Sequence, residues 1–397
     1  MKIVVQKFGG TSVSTHDRRL LVVQKVKEAI SSGFRPVVVV SAMGREGAPY
    51  ATDTLLSLLD NEFKDNNKQA VDLLMSCGET ISTAVMSNEL STNEISSIPL
   101  AGGQAGIITD DNFGDANVVK VETERLLKYI KENKVPVVAG FQGRSESGFV
   151  TTLGRGGSDV TASLLGVALF ADKVEIYTDV DGLLTADPRI VSDAALIKEI
   201  SYNEVFQFAD QGAKVIHPRA VEIAMKGNIP LVIKNTLSNC EGTIINKYGE
   251  ENTETIITGI THMKDRVQII IKMDENEGNE KYFDIFNFLG NEMISVDLIN
   301  VFPREKIFTI DKKDIKKLTT LMNTKKLKFN HVDDCSKIAV IGSRMRGIPG
   351  VMARILKALT KENVEILQTA DSHMTIWCLV KTKYAETSIR ALHKEFI

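Results

Sequence analysis

Over roughly the first 235 residues, short apolar runs alternate with stretches that carry a helical stripe, which predicts an α/β domain around a mostly parallel sheet. Lys2–Gln6, Val37–Ser41, Val135–Ala139, Val174–Thr178 and Pro230–Lys234 are the strand-like runs. Their hydrophobicity is continuous rather than alternating, as a strand requires when helices cover both faces of its sheet. Leu20–Ile30 carries an apolar stripe, Ser158–Phe170 follows a glycine turn, and Pro218–Lys226 has proline in its first turn with Gly227 just past its end, so three helices are expected there.

A polar, threonine-rich connection from Asn239 to Thr255 ends this pattern, and near Ile260 a different one begins: strand, helix, strand, strand, helix, then the same again. A shift of 70 positions (359 − 289) lays Leu289, Glu292, Ile294 and Val296 onto Leu359, Glu362, Val364 and Ile366, and Val267–Ile271 onto Lys337–Ile341. Two copies of one small α/β module are therefore expected, giving a larger α/β domain over 1–245 and modules over 260–332 and 333–397.

Composition changes this picture little. At 397 residues, with 43 % hydrophobic and 25 % charged side chains, the chain has the profile of an ordinary globular protein of more than one domain. A net charge of −3 offers no electrostatic footprint for nucleic acid or an anionic membrane. The basic stretch Lys312–Lys328 has Leu318, Leu321 and Met322 interleaved at helical spacing and reads as a solvated helix face. No apolar run approaches the length of a membrane span, and no signal-peptide pattern opens the chain, so a cytoplasmic location is expected. Cys77, Cys240, Cys335 and Cys378 lack metal or redox spacing and are expected to be free thiols.

Three segments carry candidate chemistry. Lys7-Phe8-Gly9-Gly10-Thr11-Ser12 ends a strand; its glycines would let backbone approach a phosphate and Lys7 adds charge, although a tight turn has the same look. Thr151–Asp159 joins a glycine-rich turn to Arg155 and a helix start, which suits a carboxylate or phosphate cradle and equally an N-capped helix, with Ser158 and Asp159 as caps. Tyr177–Arg189 follows a strand at the end where open α/β sheets bind ligands, yet its Asp-Gly and Asp-Pro pairs are ordinary turn formers. His217 before Pro218 reads as a structural helix-start residue. The absence of GxxxxGK[ST], GxGxxG after the first strand, GxSxG and HExxH motifs argues against P-loop, Rossmann, α/β-hydrolase and zincin chemistry.

Taken in order, Lys7–Thr11 (KFGGT), Ser76–Thr80 (SCGET), Leu153–Asp159 (LGRGGSD), Thr178–Asp187 (TDVDGLLTAD) and Gly212–Pro218 (GAKVIHP) resemble the aspartokinase family, and the tandem modules are similar to ACT domains. The resemblance implies an amino-acid-kinase three-layer α/β fold with a mostly parallel sheet, followed by two ferredoxin-like ACT modules. It implies ATP-dependent phosphorylation of the side-chain carboxylate of L-aspartate, with Mg2+ held through phosphates and water and no protein metal ligand. It further implies Lys7, Asp159 and Lys214 in catalysis, and Thr52, Glu79, Arg155, Gly156, Gly157 and Ser158 around aspartate. Arg155 would take the α-carboxylate and Glu79 the α-ammonium. Around the nucleotide it places Lys7, Phe8, Gly9, Gly10, Ser41, Thr178, Asp179, Leu184, Arg189 and Lys214, with Gly9 and Gly10 as backbone donors. Leu184 departs from the aromatic residue of several members. Because an aspartate side chain is already ionised at neutral pH, such a reaction requires charge neutralisation rather than a general base.

The ACT resemblance implies feedback by an amino acid and pairing of two chains into a homodimer. Expected effector contacts are the loop Gly342–Ala353, the strand around Val296–Asn300, and Gln368. The segment Gln368–His373 resembles the diaminopimelate-sensitive type, with lysine and threonine as the other candidates. In the first module the acidic Met273–Asn279 turn lacks the Pro349-Gly350 of the second, so a retuned pocket is expected there. On length the monofunctional form is expected. Rival readings are a same-fold kinase acting on glutamate, acetylglutamate, carbamate or a nucleoside monophosphate, and an amino-acid sensor without turnover.

Overall fold

The computed structural model describes residues 1–211, 215–249, 255–272, 282, 284–345 and 348–397. They group into two compact units: Met1–Leu183, Leu196–Ala209 and Lys214–Asn252 form the first, and Leu184–Ala195, Asp210–Ala213 and Thr253–Ile397 the second.

The first unit is built on an eight-stranded sheet. From edge to edge its strands are Glu199–Ser201, Thr243–Asn246, Leu231–Asn235, Lys173–Thr178, Lys2–Phe8, Phe34–Val40, Val135–Ala139 and Ser97–Leu100. Every neighbouring pair is parallel except Leu231–Asn235 with Thr243–Asn246. The five strands expected from continuous apolar runs, Lys2–Phe8, Phe34–Val40, Val135–Ala139, Lys173–Thr178 and Leu231–Asn235, all lie inside the two edge strands, and Val4, Val5, Val37–Val40 and Val137–Ala139 are buried. Parallel pairing follows from the helices that cross over between strands and cover both faces. The connection after Asn239, expected to be polar coil, instead contributes the antiparallel strand Thr243–Asn246, in which Thr243 and Ile245 are buried. A second, four-stranded sheet is made of Val118–Val121, Ile107–Thr109, Gln142–Ser145 and Val150–Thr152.

The three expected helices are present as His16–Ser31, Gly157–Ala168 and Pro218–Gly227. Gly227 closes the last of these from inside, and Asn228 takes the left-handed C-cap conformation expected of the glycine. His217 caps the same helix by accepting from the Arg219 N–H at 3.3 Å, a structural role. The longest helix, Lys68–Thr92, has no counterpart among the sequence-derived elements. Asn67 starts it by accepting from the Ala70 N–H.

The second unit holds a six-stranded antiparallel sheet in the order Val296–Phe302, Glu305–Asp311, Gly259–Lys272, Asn330–Ile341, Thr375–Lys381, Gln368–Asp371. Each module supplies three adjacent strands, and the first strands of the two modules pair at the centre. The 70-residue repeat is a repeat of geometry. After helix Ile285–Asn291 the Ile294 N–H returns to the Leu289 carbonyl at 2.9 Å, and after Val351–Lys361 the Val364 N–H returns to Leu359 at 3.0 Å. Met293 and Asn363 take the same left-handed conformation between them. The Met273–Asn279 turn lies outside the described residues.

The segment Leu184–Ala195 belongs to this second unit. Ala186 and Val191 sit in the core of the second module, the Ile260 N–H donates to the Thr185 carbonyl, and the Thr185 hydroxyl lies 2.9 Å from His393 Nε2. No helix among the described residues is long and apolar enough to cross a membrane. All four cysteines are free; Cys77 is exposed, and Cys335 and Cys378 are buried.

Candidate active site

Strand Lys2–Phe8 stops where Gly9 and Gly10 turn the chain at the carboxyl end of the sheet. The turn is tied on several sides: the Gly9 N–H donates to the Tyr177 carbonyl at 3.3 Å, the Ser12 N–H to Gly9, and the Gly44 N–H to the Gly10 carbonyl at 3.0 Å. The Gly9 N–H, expected to meet phosphate, is therefore engaged within the fold. A Cβ on Gly10 would lie 2.4 Å from the Ala42 carbonyl oxygen and 2.8 Å from that of Gly44, so packing alone requires glycine there. The ring of Phe8 is fully buried against Tyr177, at 4.6 Å between centroids, and its carbonyl accepts from the Ser41 N–H at 3.1 Å, so its expected part in nucleotide binding is not borne by the side chain.

A cavity of about 790 Å³ opens at this end of the sheet. Lys7, Gly10, Ser41, Thr52, Glu79, Arg155, Gly156, Gly157, Ser158 and Asp159, ten of the residues singled out above, all line it. Lys7 and Asp159 form an ion pair at 2.7 Å, off the line of a hydrogen bond. Asp159 stands in the first turn of helix Gly157–Ala168, where a carboxylate also complements the helix dipole. That helix has no side-chain cap: Gly156, in the left-handed region at φ +68°, occupies the cap position. A Cβ on Gly156 would fall 2.3 Å from the His217 ring. Ser158 and Asp159 thus face the cavity instead of capping.

Glu79 comes from the long helix Lys68–Thr92 and is buried. Its Oε1 accepts from the Ala42 N–H at 3.2 Å, while its Oε2 has no hydrogen-bond partner among the described residues. Burial pushes the carboxyl up to about 7, only partly offset by the backbone donor. A buried carboxylate oxygen without a partner costs free energy until a cation or donor reaches it. Arg155, exposed on the same cavity, supplies a planar positive fork for a carboxylate.

Other expected residues fall elsewhere. Asp179, next to Thr178, pairs with Arg45 at 2.8 Å, and Arg45 in turn lines the cavity. Leu184 and Arg189 belong to the second unit, where Arg189 is 87 % exposed and paired with Asp187 at 2.7 Å. Lys214 lies outside the described residues. On the regulatory side, Gln368 Nε2 donates to the Leu298 carbonyl and to Asn300 Oδ1, which brings together two of the three expected effector elements. Of the third, Gly342–Ala353, residues 346 and 347 lie outside the described residues.

Sequence reasoning missed the Ala42 N–H, Arg45 and the buried Asp72, which accepts from Gly114 and Thr152. These bear no local motif. The only sequence signal is an acidic residue seven positions before Glu79, two helical turns away on one face.

The amino acid kinase family model matches residues 2–235, and an ACT domain model matches residues 330–394. Aspartokinase 1 of Bacillus subtilis is 42 % identical over 401 residues, covering 100 % of this chain and 99 % of its own length. The aspartokinase of Geobacillus stearothermophilus is 37 % identical over 406 residues, covering 100 % and 97 %. Among solved structures, E. coli aspartokinase III in complex with aspartate and ADP superposes with a TM-score of 0.77 at 25 % identity, covering 99 % of each chain. The complex of that enzyme with lysine and aspartate gives 0.77 at 26 % identity, covering 100 % of this chain and 99 % of the other. With likeness of this extent laid over a cavity of matching composition, the chain belongs to the aspartokinase family and catalyses ATP-dependent phosphorylation of L-aspartate under allosteric control.

Proposed function

We propose that the cavity holds aspartate by both ends of its amino-acid group and presents its side-chain carboxylate to the γ-phosphoryl group of ATP beside Lys7. The unpartnered Oε2 of buried Glu79 carries this reading, because it marks where an ammonium group would relieve an existing penalty. Arg155 would take the α-carboxylate in bidentate fashion, with Thr52 and Ser158 as polar neighbours and the Gly156-Gly157 backbone close against it.

A carboxylate oxygen of aspartate then bonds to the γ-phosphorus as the bond to the β–γ bridging oxygen breaks, releasing ADP. No proton has to leave the nucleophile. The work of the protein is to neutralise two approaching anions and hold them in line. Lys7, oriented by Asp159, supplies the charge; Gly10 lets the backbone come close; Ser41, Thr178, Asp179 and Lys214 are assigned to the nucleotide. Mg2+ would ride on the ATP phosphates with water completing its shell, since Asp159 is engaged by Lys7.

The domain boundaries 1–245, 260–332 and 333–397 belong to the same proposal, as do a cytoplasmic location, a homodimer joined through the ACT modules, and feedback by diaminopimelate, lysine or threonine. Coupled ADP release with MgATP is the test. L-aspartate should support turnover where glutamate and N-acetylglutamate do not, and one of the three effectors should suppress it. Folded protein that binds ATP but turns over no aspartate would bring the reading down in favour of a sensor.

A further inference from the structure

Asp72 sits on the same face of helix Lys68–Thr92 as Glu79, two turns earlier, and is fully buried. Both of its oxygens are occupied. Oδ2 accepts from the Thr152 N–H at 2.8 Å and from the Gly114 N–H at 3.0 Å, while Oδ1 accepts from the Thr152 hydroxyl at 2.7 Å. Thr152 ends strand Val150–Thr152, and Leu153, Gly154 and Arg155 follow directly. Gly114 lines the cavity, and its loop is fastened to the same strand end by the Ala116 N–H on the Thr152 carbonyl at 2.8 Å.

We infer that Asp72 is a positioning residue for substrate recognition, through which one helix fixes the span between the ammonium site at Glu79 and the carboxylate site at Arg155. This rests on the assignment of those two residues to aspartate. Seven residues of helix rise by about 10.5 Å, and a helix does not stretch, so the distance from Glu79 to the clamp on Thr152 is set rigidly. The Arg155 turn is also tied by the Leu153 N–H to Phe141, by Arg219 on the Leu153 carbonyl at 3.0 Å, and within itself by the Gly157 N–H on the Gly154 carbonyl at 3.1 Å; of these ties, only the one through Asp72 comes from helix Lys68–Thr92. Gly154 and Gly156, at φ +71° and +68°, add no stiffness of their own. Burial also raises the Asp72 carboxyl above its usual range despite three donors, the mark of a carboxylate kept in a dry site at a cost.

Steady-state kinetics of Asp72→Asn, Thr152→Val, Thr152→Ser, Arg155→Lys and the double variant D72N/R155K test this. Asp72→Asn should raise KM for L-aspartate about 10–100-fold, the loss expected for hydrogen bonds to a buried charge, with KM for ATP unchanged. Thr152→Val should raise it about 3–10-fold through the lost hydroxyl bond alone. Thr152→Ser keeps the hydroxyl and should rescue the effect. In the double variant the two penalties should fall well short of multiplying, because Asp72 acts through Arg155.

An Asp72→Asn enzyme with a lowered Tm but unchanged KM for aspartate would overturn the inference. So would equal rises in both KM values, or penalties that multiply fully in the double variant. Should Asp72→Asn fail to fold, the Thr152 pair decides alone, and equal KM values for Val and Ser would overturn it. An Arg155→Lys enzyme with normal KM for aspartate would instead bring down the assignment of Arg155 itself, a distinguishable failure.

Discussion

The two sides of the cavity are prepared in opposite ways. On the side proposed for phosphate the cation is already paired: Lys7 holds Asp159 at 2.7 Å, and the glycine turn beneath is stitched to Tyr177 and Gly44. On the side proposed for the amino acid a buried carboxyl group waits, with Glu79 Oε2 unpartnered among the described residues and Arg155 exposed across the same space. The first arrangement limits reorganisation when charge moves in the transition state. The second stores a penalty that a cation or hydrogen-bond donor removes, and in the proposed function the ammonium group of the substrate does so, which favours an amino acid over a simple dicarboxylate.

Removing charge from the prepared side should do the most damage. Lys7→Ala is expected to lower kcat about 10³-fold with KM for aspartate little changed, because the proposed role of Lys7 is on charge that develops in the transition state. Rapid-quench or coupled ADP assays read this directly, and a loss confined to KM would move Lys7 out of catalysis. Gly10→Ala tests the backbone of the same side. Its Cβ would meet two carbonyl oxygens at 2.4 and 2.8 Å, so the turn must shift, and a displacement of that order lowers kcat/KM by about 10²-fold.

On the waiting side the signature is reversed. Glu79→Gln should raise KM for L-aspartate about 10–100-fold, with a smaller change in kcat, since a charge-assisted hydrogen bond present in the bound state is lost. A kcat defect as large as that of Lys7→Ala, with KM unchanged, would erase the distinction between the two sides.

How far each side could be read from sequence follows the same division. The phosphate side is written in contiguous letters: a strand, two glycines and a lysine within Lys2–Thr11, and a glycine turn with an acid within Leu153–Asp159, a stretch that also carries Arg155 of the other side. The strands around it were legible because both their faces are apolar. The amino-acid side hangs on helix Lys68–Thr92, whose buried positions include Asp72, Ser76, Glu79, Ser82, Thr83, Ser87 and Glu89. A helix that buries polar side chains has no apolar stripe to reveal it, and its partners Thr152, Gly114 and Ala42 are remote in sequence. Only the SCGET resemblance pointed there, to Glu79 and not to Asp72. The second sheet was missed for another reason: its strands of three or four residues are too short to show a period. Leu184 and Arg189 read as part of the nucleotide loop in sequence, yet they lie in the segment Leu184–Ala195, whose apolar residues Ala186 and Val191 fold into the second module.

The smallest expected effect is also the most specific to the waiting side. With its carboxyl pushed up to about 7, Glu79 in the ligand-free enzyme is about half protonated at neutral pH. An incoming ammonium group favours the carboxylate, so binding of L-aspartate at pH 7 should release about half a proton. Calorimetry of aspartate binding in buffers of different ionisation enthalpy measures that number, and Glu79→Gln should bring it near zero. By the same linkage, kcat/KM for aspartate should fall as pH drops below about 7, and the Gln variant should lose that limb of the profile. Stability should move the other way in the ligand-free protein. A carboxyl raised from 4.5 to about 7 on folding binds its proton more tightly in the native state, so its favourable contribution is complete below 4.5 and is lost as pH rises through about 7. Glu79→Gln should therefore raise the ligand-free Tm relative to the parent at pH 8 more than at pH 5. An equal shift at both values would mean that the carboxyl is not held in a dry, unpaired state, and with it would go the contrast between a cavity side that is complete and one that awaits its substrate.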